Sequence, residues 1–473
     1  MATKDPKPTP QHYREPLWPK HATVGSDGGG KGFVYERGEL IVRERDVDDI
    51  VGLIGQEPVP EGRSIGGGLW VLSGIDGDLL ALARRLRVAG FTVQPNHVFF
   101  ADPAGTDSSF HANPITFSNP ITFSNPITFS NPITFSNPIT FSNPAALGGS
   151  LAGACCADCF GTNQPPFDPT RIPRQTLAIA VDEPAPPVVD PSIGTDITVL
   201  ILDTGLADAA FRPAFDTVPT VVTPNDDTDL PDENDDVVID TAAGHGTFIA
   251  GIIERMAPAA HVTIDRVLST FGAGDDAAIA EVLNAIAPAD LPDVLNLSFS
   301  SYTEDDEPPM AITEAIQRVT AHGTVVVASA GNSSMCRKAW PAAQPETVSV
   351  GALGPIGPAP FTNFGPWVRA CAPGQDIVSR FFRPENGDPA TLPTDGQNGH
   401  FEGWAAWSGT SFAAPIVIGA LLQHRALQPK AAQGSAGDPN ARRDSLALAI
   451  AGLIDDPRRC RMPGLGTVVN AQT

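Results

Sequence analysis

Apolar runs and amphipathic stripes alternate over the second half of the chain. The runs are short, rich in Val and bounded by turn residues, and they lie at 197–202, 262–268, 294–297, 325–328 and 348–350. Between them, apolar residues recur at the spacing of a helix, as at Ile249, Ile252 and Ile253. Continuous apolar runs are typical of strands that are buried on both faces of a parallel sheet. Because strands and helices alternate, we predict a doubly wound, mostly parallel α/β domain over residues 166–473, with a C-terminal tail.

A smaller unit with a different pattern precedes this domain. Leu40 and Val42 lie two residues apart, as on the buried face of a strand, and a helical stripe follows them. A second strand, a second helix and an extended segment at 93–100 complete the pattern. The order of these elements predicts a small α+β domain at residues 33–103. The segment 54–69 shows no convincing pair of strands.

The remaining segments are predicted to be flexible. Residues 1–32 are polar and rich in Pro, so they cannot bury enough apolar surface to offset the entropy of ordering, and we expect a flexible arm. Residues 113–142 repeat Asn-Pro-Ile-Thr-Phe-Ser five times. A Pro in every unit excludes a continuous helix and a central strand. We expect a tether over residues 104–165, with a binding array or a small solenoid as the alternative.

Charge and hydropathy exclude two classes of partner. The chain has 30 Lys and Arg against 54 Asp and Glu, a formal net charge of −24. Nucleic-acid binding needs clustered cations that displace counterions, so an acidic chain of this kind is not expected to bind a polyanion. No apolar run reaches the length of a membrane span, and the N-terminal residues lack the pattern of a signal peptide. We therefore expect a cytosolic location, with secretion by another route as the alternative.

Loops that follow the apolar runs carry side chains suited to catalysis. Asp203 ends the first run, His245 lies between two Gly residues before a helical stripe, and Ser411 lies near the start of another stripe. In an open α/β sheet, functional groups gather past the carboxyl ends of the strands. A Ser hydroxyl becomes a nucleophile when an imidazole takes its proton and a carboxylate orients that imidazole. Asn332 follows the fourth run, and its side-chain amide can donate a hydrogen bond to an oxyanion. Each residue alone is also typical of a turn or a structural contact, and only their combination indicates catalysis.

Segments around these residues resemble the subtilisin-like serine proteases. They are LILDTG, GHGTFIAG, LNLSFS, ASAGN and SGTSFAAP, in the order of that family, and the resemblance covers about residues 190–425. It implies that Asp203 orients the imidazole, that His245 is general base and acid, and that Ser411 is the nucleophile. It also implies that Asn332 is the oxyanion donor of a serine endopeptidase. Such an enzyme acts on protein or peptide substrates and requires no cofactor for its chemistry.

The same resemblance implies a substrate edge and an inhibitory domain. Ser298, Phe299 and Ser300 correspond to a pocket-lining edge to which the substrate backbone adds as an extended strand. Ser300 and Ser301 stand where the family often has two Gly residues, so the preference at the cleaved bond stays open. Residues 33–103 resemble the pro-domain that assists folding and then inhibits the protease, and an unrelated accessory domain is the alternative. For the whole chain, the alternative function is a catalytically silent scaffold.

Acidic residues and thiols form two further clusters. The acidic cluster consists of Asp226, Asp227, Asp229, Asp232, Glu233, Asp235 and Asp236. We expect a solvated acidic loop there, with structural calcium as the alternative, because oxygen ligands at this density suit Ca²⁺. Cys155, Cys156 and Cys159 are expected to be ordinary thiols, because tetrahedral zinc wants four ligands. No metal site is predicted.

Cys336 and Cys371 are candidates for a disulfide. Cys336 follows the Asn332 loop and Cys371 precedes Ala372-Pro373-Gly374, so the two thiols are expected near one sheet edge, where a bridge would hold a substrate loop. The lack of a signal-peptide pattern argues against stable oxidation.

Overall fold

The computed structural model describes residues 21–26, 31–101, 178–209, 228–235, 237–392, 401–429, 433 and 438–469. The repeat at 113–142 and the thiols of Cys155, Cys156 and Cys159 lie outside the described residues, so the predictions for them stay predictions.

The N-terminal unit is an antiparallel sheet with two helices. Its strands are β1 (Ala22–Ser26), β2 (Gly32–Arg43), β3 (Glu61–Gly66), β4 (Leu69–Ser73) and β5 (Val93–Phe100), and its helices are α1 (Val47–Ile54) and α2 (Leu79–Val88). The strand order is β5-β2-β4-β3, and β1 pairs with β2. Alternate residues of β2 face opposite sides of the sheet. Leu40 and Val42 pack under the helices, whereas Ile41 packs against the second unit. The predicted α+β fold is confirmed.

The structure differs from the sequence prediction at two strands of this unit. Ala22–Ser26 pairs with β2, so part of the predicted arm belongs to the sheet. Strand β3 forms a hairpin with β4 in the segment where no strand was expected. Within β3 only Ile65 is buried, so the strand lacks the apolar alternation that marks a half-buried strand.

The second unit carries the larger sheet. Its strands are β6 (Ile179–Ala180), β7 (Thr198–Asp203), β8 (Leu206–Ala207), β9 (Thr228–Asp229), β10 (His261–Arg266), β11 (Ala273–Asp275), β12 (Val294–Leu297), β13 (Val325–Ser329), β14 (Thr347–Gly354), β15 (Gly357–Pro358), β16 (Ala370–Pro373), β17 (Ile377–Arg380), β18 (Trp404–Trp407), β19 (Arg461–Met462) and β20 (Gly466–Val468). Its helices are α3 (His245–Met256), α4 (Asp276–Ala285), α5 (Met310–Ala321), α6 (Thr410–Ala426) and α7 (Pro439–Leu453).

The main sheet is parallel and doubly wound, as predicted. Its order is β10-β7-β12-β13-β14-β16-β20, with antiparallel β19 at the far edge and β15 paired to β14. Val199 and Ile201 of β7 pack in the same core as α3 and α6, whereas Leu200 and Leu202 pack in the core of α4 and α5. Since β7 is buried on both faces, its sequence is a continuous apolar run. Strand order reverses at β7, which is where sheets of this kind place their functional crevice.

The C-terminal segment is more ordered than the predicted tail. Strand β20 pairs in parallel with β16 through Ala370 and Thr467, so the chain is part of the sheet as far as Val468. Of the helices in the described ranges, none is both long and apolar enough to cross a membrane.

Candidate active site

Asp203 and His245 form a buried pair at the carboxyl end of β7. His245 Nδ1 lies 2.7 Å from Asp203 Oδ1, and the side chains of both residues are fully buried. Asp203 Oδ1 also accepts a hydrogen bond from the backbone N–H of Thr204 at 2.8 Å. A carboxylate only accepts, so His245 donates from Nδ1, and this leaves Nε2 as the nitrogen that can take a proton.

Two Gly residues let His245 approach β7 this closely. Gly244 precedes helix α3 with a φ of +81°, and a Cβ there would lie 2.4 Å from the ring of Phe381. A Cβ on Gly246 would lie 2.3 Å from the carbonyl oxygen of Gly205, in the loop after Asp203. Both positions therefore need Gly, because a larger residue would push the His245 loop away from the Asp203 loop.

Ser411 lies in the first turn of helix α6, where the helix dipole favours negative charge. Pro415, four residues further on, has no backbone N–H, so the carbonyl of Ser411 lacks its usual partner in the helix. Ser298 Oγ donates to that carbonyl at 2.8 Å. The end of β12 and the start of α6 are thus tied together at the residue predicted to be the nucleophile.

The Ser411 hydroxyl is bonded away from His245. Its Oγ donates to the carbonyl oxygen of Ser298 at 3.1 Å. His245 Nε2 is buried and has no hydrogen-bond partner in the part of the chain that the structure describes. The structure therefore joins Asp203 to His245 and joins Ser411 to Ser298.

Asn332 lies in the loop after β13, with its amide oxygen held by Thr410. The backbone N–H and the hydroxyl of Thr410 both donate to Asn332 Oδ1 at 2.9 Å. Two donors on Oδ1 fix the orientation of the amide, so Nδ2 is the end turned away from Thr410. Thr410 was not predicted as a functional residue, although it directly precedes Ser411.

Asp229 was predicted to belong to a solvated acidic loop and is instead buried. Its Oδ2 accepts from Thr204 Oγ1 at 2.8 Å and from the backbone N–H of Gly244 at 2.7 Å. It therefore connects the loop of Asp203 to the loop of His245. Burial raises the pKa of Asp229 well above its ordinary value, against the opposing effect of the two hydrogen bonds. Its partners are distant in sequence, so no local pattern distinguishes it from the acidic residues around it.

Other acidic side chains of this segment also bond to donors. Glu233 pairs with Arg266 at 2.8 Å and accepts from Thr270 Oγ1 at 2.7 Å. Among the described residues, no group of three or more His, Cys, Asp or Glu side chains is arranged to hold a metal ion. Asp226, Asp227 and Asp236 lie outside the described residues, so the calcium alternative stays untested there.

The predicted substrate edge is occupied by the end of the N-terminal unit. The backbones of Phe100 and Ser300 exchange two hydrogen bonds of 2.9 Å in an antiparallel bridge. On its other side Phe100 pairs with Ala273 of β11. The backbone N–H of Ala101 donates to the carbonyl of Gly272 at 2.7 Å. An extended segment therefore lies between two strands of the larger unit, in the way a peptide adds to a sheet edge.

Aromatic packing accompanies this pairing. Phe99 is fully buried, and its ring meets that of Phe299 edge to face, with centroids 5.6 Å apart. Phe299 thus contacts the N-terminal unit through its side chain, while Ser300 contacts it through its backbone.

Ion pairs hold the two units together around this strand. Arg84 and Arg87 of α2 both pair with the buried Glu304, the latter at 2.8 Å. Arg43 donates to Glu314 at 2.7 Å, and Arg63 pairs with Glu281. In each of these pairs the N-terminal unit supplies the cation and the larger unit supplies the carboxylate.

The cysteine pairing predicted from the sequence is wrong. Cys336 is in a disulfide, whereas Cys371 is a free, buried thiol. Cys371 lies in β16, where burial raises the pKa of its thiol to about 12. The two residues are close to the same sheet, but Cys371 faces β20, with its sulfur 3.7 Å from the carbonyl of Thr467.

The chain is similar to several known proteins. The model of the Subtilase family matches residues 194–443. Thermophilic serine proteinase of Bacillus sp. (strain AK1) is 32% identical over 186 residues, which cover 37% of this chain and 41% of that protein. Subtilisin Savinase of Lederbergia lenta is 27% identical over 240 residues, which cover 48% of this chain and 75% of that protein. A solved structure of a cold adapted subtilisin-like serine proteinase is similar with a TM-score of 0.42 and 21% identity, over 63% of this chain and 95% of that one. The predicted cytosolic location has no support in these comparisons.

Proposed function

The chain belongs to the subtilase family, and from this we propose that it is a serine endopeptidase that uses Asp203, His245 and Ser411. The observation that carries the proposal is the buried hydrogen bond between Asp203 and His245 at the switch point of the sheet. A bond to Nδ1 fixes the imidazole in the tautomer that a general base needs, and the carboxylate stabilises the imidazolium that forms.

In the proposed reaction, Ser411 attacks the carbonyl carbon of the substrate. His245 Nε2 takes the hydroxyl proton and later gives it to the leaving amine, which completes acylation, and water then repeats the cycle on the acyl-enzyme. For this step the Ser411 hydroxyl must rotate from the Ser298 carbonyl toward His245. The amide of Asn332, held from behind by Thr410, donates to the oxyanion of the tetrahedral intermediate.

A fluorophosphonate probe tests the proposal, because only an activated Ser reacts with it. We expect labelling at Ser411 in the wild type. Ser411→Ala should lose both the labelling and the hydrolysis of an unstructured protein such as casein, whereas Ser192→Ala, at an exposed site, should keep both. Casein hydrolysis that survives Ser411→Ala would remove the assignment.

A silent scaffold is the second candidate, and the bond from Ser411 Oγ to the Ser298 carbonyl is the observation in its favour. It predicts that the probe labels no residue, even after the N-terminal unit has been released. The same probe experiment therefore separates the two functions.

We also propose that residues 33–103 inhibit the larger unit until the tether over residues 104–165 is cut. The support is the position of Phe100, whose backbone saturates both hydrogen-bonding groups of Ser300. A substrate strand needs the same groups, so the two compete. A tether keeps the inhibitor at a high effective concentration, on the order of millimolar, and this advantage is lost on cleavage.

Two variants of Phe100 in the full chain test the inhibition. Phe100→Pro removes the N–H that Ser300 accepts, whereas Phe100→Ala keeps both backbone bonds. We expect the probe to label Ser411 faster in Phe100→Pro than in Phe100→Ala. Equal rates in these variants and in the wild type would leave residues 33–103 as an accessory module.

A further inference from the structure

We propose that Asn363 is a positioning residue that holds the loop of the oxyanion donor Asn332 in its working geometry. The inference rests on the proposed function, because it presupposes that Asn332 donates to an oxyanion. Asn363 lies in the loop between β15 and β16 and is fully buried. Its side chain uses all of its hydrogen-bonding capacity, and most of its contacts are with the backbone on either side of Asn332.

The amide oxygen of Asn363 holds the backbone that follows Asn332. Oδ1 accepts from the N–H of Ser333 at 3.1 Å and from the N–H of Met335 at 3.0 Å. Both N–H groups belong to a loop that has no regular secondary structure to satisfy its donors. A single carbonyl oxygen thus fixes two N–H groups that would otherwise be left without an acceptor.

The nitrogens of Asn363 hold the backbone that precedes Asn332. Nδ2 donates to the carbonyl of Ala330 at 2.8 Å, and the backbone N–H donates to the carbonyl of Gly331 at 2.8 Å. Gly331 has a φ of +93°, and a Cβ there would lie 2.5 Å from Nδ2. The loop therefore needs Gly at this position so that Asn363 can lie against it.

These partners dictate the orientation of the amide group. The N–H groups of Ser333 and Met335 can only donate, and the carbonyl of Ala330 can only accept. A flipped amide would face two donors with its NH₂ group and an acceptor with its oxygen. A residue that offers both an acceptor and donors on one planar group is required, and among side chains of this size only an amide does so.

Asn363 complements Thr410 in holding Asn332. Thr410 fixes the Asn332 side chain through Oδ1, and Asn363 fixes the Asn332 backbone from both sides. An oxyanion donor is effective only where its N–H already points to the position that the charge will take, so an error of position reduces the rate of the chemical step. The loss is expected in kcat, because the contact forms in the transition state.

Tyr302 connects this arrangement to the substrate edge. Asn363 Nδ2 donates its second proton to the Tyr302 hydroxyl at 3.0 Å, and Tyr302 follows Ser300 and Ser301 in the chain. The guanidinium of Arg337 lies over the Tyr302 ring at 4.7 Å and fixes the ring. One amide group therefore fixes the position of the Asn332 loop relative to the substrate edge at Ser300.

Steady-state kinetics of the full chain in the Phe100→Pro background, which weakens the pairing with Ser300, test the inference, with rates expressed per active site titrated by a fluorophosphonate. Asn363→Ala is expected to lower kcat for a chromogenic peptide about 10-fold with KM little changed, the size of effect expected when one oriented contact of the transition state is weakened. Thr324→Val is the matched control. It removes a buried hydroxyl that donates to the carbonyl of Pro292 at 2.7 Å, at the end of β13 opposite to the loop of Asn332. This control should keep the kcat of Phe100→Pro.

A double-mutant cycle with Asn332→Ala decides whether Asn363 acts through Asn332. If it does, Asn363→Ala should change kcat by less than about 2-fold once Asn332 is absent. An equal loss in both backgrounds would overturn the inference, because it would mean a general structural role. Tyr302→Phe, which removes one bond and keeps the packing, is the second variant if Asn363→Ala fails to fold. Its expected loss of about 2- to 3-fold should likewise vanish in the Asn332→Ala background.

The outcome also separates this inference from the proposed function. A chain that neither hydrolyses the peptide nor reacts with the probe at Ser411, both as the wild type and as Phe100→Pro, contradicts the proposed function. An active chain with additive effects of Asn363→Ala and Asn332→Ala contradicts only the role of Asn363.

Discussion

Ser411 Oγ donates its hydrogen bond to the carbonyl oxygen of Ser298, 3.1 Å away, while Ser298 Oγ donates to the carbonyl of Ser411. The two residues thus exchange hydrogen bonds between the end of β12 and the first turn of α6. The reciprocal contact holds Ser411 beside the edge to which Phe100 is paired. It also supplies the Ser411 carbonyl with the hydrogen-bond donor that Pro415, in the second turn of the helix, cannot provide.

The first prediction concerns Ser298→Ala. This change leaves the carbonyl of Ser411 buried without its donor and the amide of Asn296 without an acceptor 3.0 Å away. We expect the free energy of unfolding to fall by about 1 to 2 kcal/mol and kcat to fall with it. Denaturant unfolding and kinetics on the same preparation check this. Ser192→Ala at the surface should change neither quantity, and an unaltered stability in Ser298→Ala would show that the carbonyl finds another partner.

The second prediction concerns Asp229, which bonds to the loops of both Asp203 and His245. Asp229→Ala leaves Thr204 Oγ1 and the N–H of Gly244 without an acceptor, at a cost of about 1 to 3 kcal/mol for each buried donor. We expect lower stability and a lower kcat/KM. Asp229→Asn keeps an oxygen at the same place, so it should retain most of both. If Asp229→Asn were as damaging as Asp229→Ala, the negative charge rather than the oxygen would be what matters.

The sequence predicted the strands that are surrounded by apolar residues on both faces. It missed the elements and residues whose environment depends on parts of the chain that are distant in sequence. Strands β7 and β13 are buried on both faces, and the residues in their middle form a continuous apolar run. Strand β3 has one buried residue and gives no such signal. Asp203, His245, Ser411 and Asn332 each follow a strand or begin a helix, which is a local pattern. Asp229 and Asn363 bond to groups that are distant in the sequence, so only the folded chain shows what they contact.

The disulfide prediction failed for a related reason. Proximity to one sheet was inferred from sequence order, and sequence order does not tell which side of a strand a residue occupies. Cys371 points its thiol toward β20, an element that pairs with β16 only because the C-terminal segment returns to the sheet edge.

The third prediction concerns the preference at the cleaved bond. Ser300 stands where the family often has Gly, and a Cβ on Gly331 would lie only 3.0 Å from Ser300 Oγ, so the hydroxyl narrows the space between the predicted substrate edge and the loop of Asn332. Ser300→Gly should therefore raise kcat/KM for peptides with Phe at the cleaved bond relative to peptides with Ala. The ratio of the two rates, compared with that of the wild type, is the measurement. If the ratio of kcat/KM values is the same in Ser300→Gly and in the wild type, a residue other than Ser300 limits the size of the pocket.

The fourth prediction concerns the free thiols. Burial raises the pKa of Cys371 to about 12, so at about pH 8 only on the order of one thiol in 10⁴ is ionised, whereas Cys460 is exposed. We expect iodoacetamide to label Cys460 and not Cys371 in the folded protein, and to label both after denaturation. Cys336 should become reactive only after reduction. Peptide mass spectrometry reads all three positions, and rapid labelling of folded Cys371 would contradict the buried environment of β16.

The last prediction concerns pH and strand β5, whose end pairs with the predicted substrate edge at Ser300. His97 of β5 is fully buried, and the N–H of Glu304 donates to its Nε2 at 3.3 Å. Burial, together with the nearby guanidinium groups of Arg87 and Arg337, lowers the pKa of His97 to about 3. The neutral imidazole is therefore what the interface of the two units accommodates.

A His whose pKa in the folded protein lies below its ordinary value of 6.5 stabilises the fold above that value, and the stability is lost as the pH falls toward 3. Each pH unit in this window corresponds to about 1.4 kcal/mol, so by about pH 5 the loss due to His97 is about 2 kcal/mol. Glu36 and Asp276, whose pKa values burial raises to about 7, act in the opposite direction and obscure the effect in the wild type alone.

The measurement is therefore a difference: unfolding of the wild type and of His97→Asn at about pH 7 and at about pH 5, where the two carboxyl groups contribute equally to both proteins. We expect the wild type to lose about 2 kcal/mol more than His97→Asn. Equal losses would mean that water or a local rearrangement solvates the protonated ring, and the contact with Glu304 would then have no part in the pH response of the interface.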